Sequence, residues 1–159
     1  GIDRLLNAVA ANCVRSKNQP ALIVDSGTAT TVDTVDQTGA FMGGSILPGF
    51  ELSARALHHY TALLPLIPLD ELNGPKKPIP VGTNTRAAMQ SGLYWGQVGA
   101  VRELLARSCR SFGFENPLTL LTGGGGALLA AEFPEAQWFP HLSLQGLALV
   151  LEELFPSLP

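Results

Sequence analysis

Apolar positions along this chain recur with two spacings, one helical and one alternating, and their succession predicts its elements. Leu5, Leu6, Val9, Ala10 and Cys13 have the helical spacing, so a helix opens the chain, with Asp3 at its N-terminus, where capping favours a carboxylate. Arg4 beside it is out of place, because a cation there opposes the helix dipole. Asn18-Gln19-Pro20 makes a turn. Ala21 to Val24 is then apolar without alternation, as a strand buried on both faces would be, and the run stops at Asp25. Thr31 to Asp36 alternates as a strand, with Thr38-Gly39 as its turn. Ala40 to Gly49 reads as a third strand, whose glycines imply close approach by another backbone or a ligand. Three antiparallel strands in succession therefore begin the sheet.

Phe50 to Tyr60 is helical, with Leu52, Ala56 and Leu57 on one face. Leu63 to Lys77 is a proline-rich connection with little regular structure. Thr83 or Asn84 caps a long helix reaching Ser111. Ala87, Ala88, Gly92, Gly96 and Gly99 give that helix a small-residue face, which permits close packing against a second copy of the chain. Asn116 to Thr122 is a second buried strand that ends in four glycines, Gly123 to Gly126, before a helix from Ala127 to Ala131. A short strand at 137–139 and an amphipathic helix from Leu144 to Leu154 follow.

Composition narrows the possibilities. The chain has 159 residues, 46% of them apolar and 14% charged, which suits one domain with a sizeable core. A net charge of −3 offers no attraction to nucleic acid or to an anionic membrane, and no apolar run is long enough to span a bilayer. Cys13 and Cys109 have neither a metal-ligand nor a redox spacing; both are expected in helices as small apolar residues, in a reducing cytoplasm. His58 and His59 are adjacent, so they cannot share a metal from one helix face. Nothing resembles a Ser-His-Asp triad, a zinc site or a P-loop.

Two stretches carry chemistry. Asp25-Ser26-Gly27-Thr28 ends the first strand in a turn whose N–H groups and hydroxyls could hold phosphate oxygens, with a carboxylate beside them for the accompanying cation. Taken alone, it fits equally well a plain meander whose Asp and Thr satisfy a hairpin. Thr122-Gly123-Gly124 is the second stretch, a strand, glycine turn and helix start of the kind that lets a nucleotide approach the backbone. Its spacing is not G-x-G-x-x-G, so a dinucleotide fold is not indicated. The element order matches a ribonuclease H-like (actin-like ATPase) α/β domain, with a mixed sheet of three antiparallel plus two parallel strands flanked by helices. In that superfamily the two stretches resemble a phosphate loop (Ser26, Gly27, Thr28) and an adenosine loop (Gly123, Gly124).

Further stretches narrow the resemblance. Gly1-Ile2-Asp3-Arg4, Asp25 to Thr31, Gly43 to Gly49, Thr61 to Pro65, Asn84-Thr85, Thr122-Gly123-Gly124, His141-Leu142 and Gly146-Leu147 stand in the order of the type III pantothenate kinases, also called the Bvg accessory factor family. The resemblance covers essentially the whole chain. It implies ATP-dependent phosphorylation of pantothenate, the first step toward coenzyme A, with Mg2+ and a monovalent cation (K+ or NH4+). It implies Asp3 as the general base for the substrate hydroxyl, and Gly1, Ile2 and Arg4 as the rest of a pantothenate-binding segment. Asp25 resembles the ligand of the monovalent cation and Thr28 a nucleotide phosphate contact. Thr85 resembles a substrate contact supplied by the partner in a homodimer built through the 84–111 helix.

A complete family member begins with a strand ending in Asp-x-Gly-Asn-Thr, on a domain ahead of the position of Gly1. The chain therefore reads as the C-terminal portion of a two-domain kinase, residues 1–159, with weak or no activity by itself. Two alternatives stand beside this reading: a non-catalytic regulatory or interaction module of the same fold, and another small-molecule kinase of the actin-like superfamily.

Overall fold

The computed structural model describes residues 1–74 and 76–156. Pro75, inside the proline-rich connection, and the last three residues lie outside them. The elements run α1 (Ile2–Val14), β1 (Ala21–Ser26), β2 (Ala29–Val35), β3 (Phe41–Pro48), α2 (Phe50–His59), α3 (Leu69–Leu72), α4 (Thr85–Phe112), β4 (Leu118–Thr122), α5 (Gly126–Ala130), β5 (Gln137–Trp138) and α6 (Leu142–Leu154). The strands form one sheet in the order β3-β2-β1-β4-β5. The β1–β2 and β2–β3 pairs are antiparallel, and β1–β4 and β4–β5 are parallel. This is the mixed ribonuclease H-like sheet that the element order predicts.

β1 lies at the centre, and its lack of alternation has a simple cause. Leu22 and Val24 point into a core with Phe50 and Ala54 of α2 and Met89, Leu93, Val98 and Val101 of α4. Ile23 and Ala21 point the other way, onto Ala8, Ala10 and Ala11 of α1 and Leu142 of α6. With helices on both faces, every β1 position is apolar until the strand emerges at Asp25. α6 lies directly on α1: a Cβ at Gly146 would sit 1.9 Å from the Leu6 carbonyl oxygen, so only glycine permits that approach.

Several boundaries differ from the sequence reading. α1 already includes Ile2, its N-cap position is Gly1, and Asp3 lies in the first turn with no capping bond from any side chain. Asp3 is thus favourable to the dipole without being the cap. Asn84 rather than Thr83 caps α4, its Oδ1 accepting from the Ala87 N–H at 2.9 Å. The proline-rich connection holds a short helix, α3, that carries no periodic signal because tertiary contacts secure it. Glu71 takes an ion pair from Arg86 and a hydrogen bond from Gln90, both on α4. Just beyond, Trp95 Nε1 donates to the Pro78 carbonyl at 2.9 Å and Ser91 Oγ to that of Pro80 at 2.7 Å. Both cysteines are helical, but Cys13 is exposed rather than packed as a small apolar residue. Leu52 and Leu57 of α2 are exposed too. They face a groove of about 1020 Å³ between α2 and α4, with Gly92 and Gly96 on its other wall.

Candidate active site

β1 and β4 are parallel neighbours, with Asp25 in register with Thr122, so both glycine turns leave the same edge of the sheet. In open α/β sheets that edge is where ligands bind. The two turns fit together closely. Gly123 has φ +85°, and a Cβ there would lie 2.5 Å from Asp25 Oδ1 and 2.6 Å from the Ser26 carbonyl oxygen. The Gly125 N–H donates to that same Ser26 carbonyl at 2.7 Å. On the other side, Gly49 approaches so closely that a Cβ would meet the Gly27 carbonyl oxygen at 2.3 Å, and its N–H donates to the Thr28 carbonyl at 3.0 Å. The first turn is therefore clamped between Gly49 and Gly123 to Gly125.

This packing uses some of the groups expected to face a ligand. The Gly27 N–H bonds to Ala29 and the Gly125 N–H to Ser26, closing the turns internally. Ser26 is fully buried, and Thr30 Oγ1 donates to its hydroxyl at 3.4 Å. Thr28, Gly27 and Gly124 instead line a cavity of about 220 Å³ together with Phe50 and Glu51. α5, which follows, is only five residues long and contributes little dipole.

On the α1 face of the sheet, Asp25 is half-buried and Asn7 Nδ2 donates to its Oδ2 at 2.9 Å. Burial pushes its pKa up; the Asn7 bond opposes this, and the charges of Asp3 and Asp33 add to it. Beside it, a cavity of about 150 Å³ is lined by Thr122, Gly123, His141 and Ser143. The polar lining is one carboxylate, the Thr122 and Ser143 hydroxyls and the His141 imidazole, and the gap at Gly123 would be closed by any side chain. The oxygens of such a set could hold a hard cation.

Arg4 finds the partner that its sequence neighbourhood lacks. Its Nε donates to Asp33 Oδ1 at 2.8 Å, its Nη2 reaches the same oxygen, and the guanidinium lies 5.4 Å over the Phe41 ring. The Asp33 bond raises the Arg4 pKa, against the opposing effect of burial. Asp33 is fully buried and also accepts from Thr31 Oγ1 at 3.0 Å. The sequence reading gives Asp33 no role, although a carboxylate inside a β-branched strand, between Val32 and Thr34, is a signal. Asp3, one residue before Arg4, keeps its side chain 64% exposed at the mouth of this region.

The structure thus brings Asp3, Arg4 and Asp25 to one face and Thr28 and Gly124 to the adjoining edge. Gly1 and Ile2 are exposed at the start of α1. Thr85 is not among them. It begins α4, on the opposite face of the sheet, and lines the α2–α4 groove.

Fold and paired turns together define a ribonuclease H-like domain with a ligand-accepting edge. Residues 1–107 match the family model described as type III pantothenate kinase. The chain belongs to that family. It is 42% identical over 152 residues to the type III pantothenate kinase of Acidiphilium cryptum, covering 94% of this chain and 54% of that protein. It is 41% identical over 155 residues to that of Dehalococcoides mccartyi, covering 96% and 56%. The chain thus spans about half the length of these relatives. A solved Campylobacter jejuni structure, described as a conserved Baf family transcriptional activator, shares the fold with a TM-score of 0.69 at 23% identity, over 99% of this chain and 66% of that one. Among the described residues no helix is long and apolar enough to cross a membrane.

Proposed function

We propose that this chain supplies the substrate-binding half of an ATP-dependent pantothenate kinase, acting at the first step toward coenzyme A. The carrying observation is the joint placement of Asp3, Arg4 and Asp25 beside two clamped glycine turns, in a chain of this family. Pantothenate carries a carboxylate and a primary hydroxyl. Asp3, exposed at the mouth, accepts the hydroxyl proton as phosphoryl transfer proceeds, a role that contributes about 10²–10⁴-fold. Arg4 is held by Asp33, leaving the rest of its guanidinium to meet the substrate carboxylate. Thr28 and Gly124, which line the 220 Å³ cavity, would border the nucleotide phosphates there. Mg2+ and a monovalent cation, bound with ATP, would supply charge neutralisation; Asp25 with the Thr122–Gly123 turn would hold the monovalent ion. Most of the remaining rate comes from alignment of the hydroxyl with the γ-phosphate.

The reading includes a homodimer. Thr85 lies across the sheet from Asp3 within one chain, so it reaches a pantothenate site only when a second copy brings it there. The α2–α4 groove is the surface for this, since a Cβ at Gly92, Gly96 or Gly99 would meet nothing within 4 Å. In this reading the working kinase also needs a first phosphate loop, and the test uses protein that contains one. Asp3→Asn should lower kcat by about 10²–10⁴-fold with little change in pantothenate affinity. A near-normal kcat removes Asp3 as the base. Absence of any phosphopantothenate from the unaltered protein removes the kinase reading in favour of a non-catalytic module.

A further inference from the structure

Asn7 has no part in the function proposed above, yet its placement is unusual. It lies on the face of α1 that otherwise presents Ala8, Ala10 and Ala11 to the sheet, and it is completely buried. A buried amide is costly unless both ends are paired, and an apolar side chain would avoid that cost altogether. Both ends are paired here. Nδ2 donates to Asp25 Oδ2 at 2.9 Å, and Oδ1 accepts from Ser143 Oγ at 2.8 Å.

The partners fix which way the amide points. An inverted amide would set its oxygen against a carboxylate oxygen, two acceptors face to face. The Ser143 hydroxyl can turn to suit either orientation, so an ionised Asp25 dictates the choice. Asp25 is then held through Oδ2, and its Oδ1 is left toward Gly123 and the 150 Å³ cavity. Ser143 stands in the first turn of α6, a helix locked to α1 by the Gly146 contact and by fully buried Leu142. The chain of contacts runs from α6 through Ser143 and Asn7 to the carboxylate.

We propose that Asn7, anchored by Ser143, is a positioning residue that aims the Asp25 carboxylate at a monovalent cation and makes α6 a structural support of that site. This rests on the reading of Asp25 as the cation's ligand. Groups that orient a metal's direct ligands typically change its affinity about 10–100-fold when removed.

The test is a thermal unfolding series on protein that includes the first phosphate loop, with ATP and Mg2+ present, titrating KCl against choline chloride at constant ionic strength. The readout is the K+ concentration that gives half of the K+-specific rise in Tm. That midpoint should increase about 10–100-fold in Asn7→Leu and by a smaller factor in Ser143→Ala. A purely structural role would lower Tm in both salts and leave the midpoint unchanged, and that result overturns the inference. If Asn7→Leu does not fold, Ser143→Ala decides in the same way. If the unaltered chain shows no K+-specific rise, the cation role of Asp25 falls, and this inference falls with it.

Discussion

Arg4 shows how much one residue can say and where it stops. A cation in the first turn of a helix is unfavourable by itself, so the sequence marks Arg4 as serving something other than its own helix. Its partner, Asp33, lies 29 residues away on β2, and no local pattern links them. The ion pair is largely withdrawn from water, with the Asp33 side chain wholly inaccessible. Removing one member leaves the other's charge buried and unpaired. Arg4→Met, which strands the wholly buried Asp33 carboxylate, should therefore destabilise the fold by about 3–5 kcal/mol in denaturant titration, while the double variant Arg4→Met/Asp33→Leu regains most of that loss. The double variant should remain unable to use pantothenate. Recovered stability without recovered activity separates the pair's structural role from its substrate role. Asp3 was equally visible from the sequence, as a capping carboxylate locally and as a base through the family resemblance, and in the structure it lies in the first turn of α1, largely exposed and without a capping bond.

At the scale of elements, the sequence pattern located ten of the eleven helices and strands among the described residues. The one it missed, α3, is a single turn held by Glu71 against α4. The same stretch of chain reaches farther along α4 at Lys77, whose amine pairs with Glu132 at 2.6 Å, and Glu132 in turn accepts from Tyr94 Oη at 2.9 Å. Burial, with the Glu132 bond and charge, pushes the Tyr94 phenol up to about 12 from an ordinary value of 10.0. A raised pKa means that the folded chain keeps a proton the unfolded chain releases. Stability should then be unaffected by this group below pH 10 and decline as the pH rises from 10 toward 12. Tyr94→Phe should flatten that part of the stability profile, and phenolate absorbance should lose its late-titrating component. The long helix α4 was read correctly from Asn84 onward. Its glycines, which predict close packing, have no partner helix within the described chain.

For the whole molecule, that unfilled face supports the expectation of a second copy. Sedimentation should find a dimer at micromolar concentration, and Gly96→Arg should convert it to monomer without unfolding it. A monomer at high concentration of the unaltered chain would count against the groove as an interface. The mixed character of the sheet and both glycine turns were legible because each turn follows a strand whose burial shows in its composition. The way the site is divided between faces was not legible. Whether a residue lies above or below the sheet depends on the register and on which helices cover each side, so the expectation that Thr85 serves a partner's site came from the family resemblance and not from the order of elements.

The contact between α1 and α6 also governs how the chain is made. Asn7 and Ser143 are 136 residues apart, and α6 is made after every other described helix. Until it is made, the side of α1 that receives Gly146 and Leu142 has no cover. The nascent chain can assemble its antiparallel hairpins early, since they need only local closure, but this layer must wait. The surroundings of Asp25 are therefore complete only once α6 has docked, so the site inherits the slowest, most non-local closure of the fold.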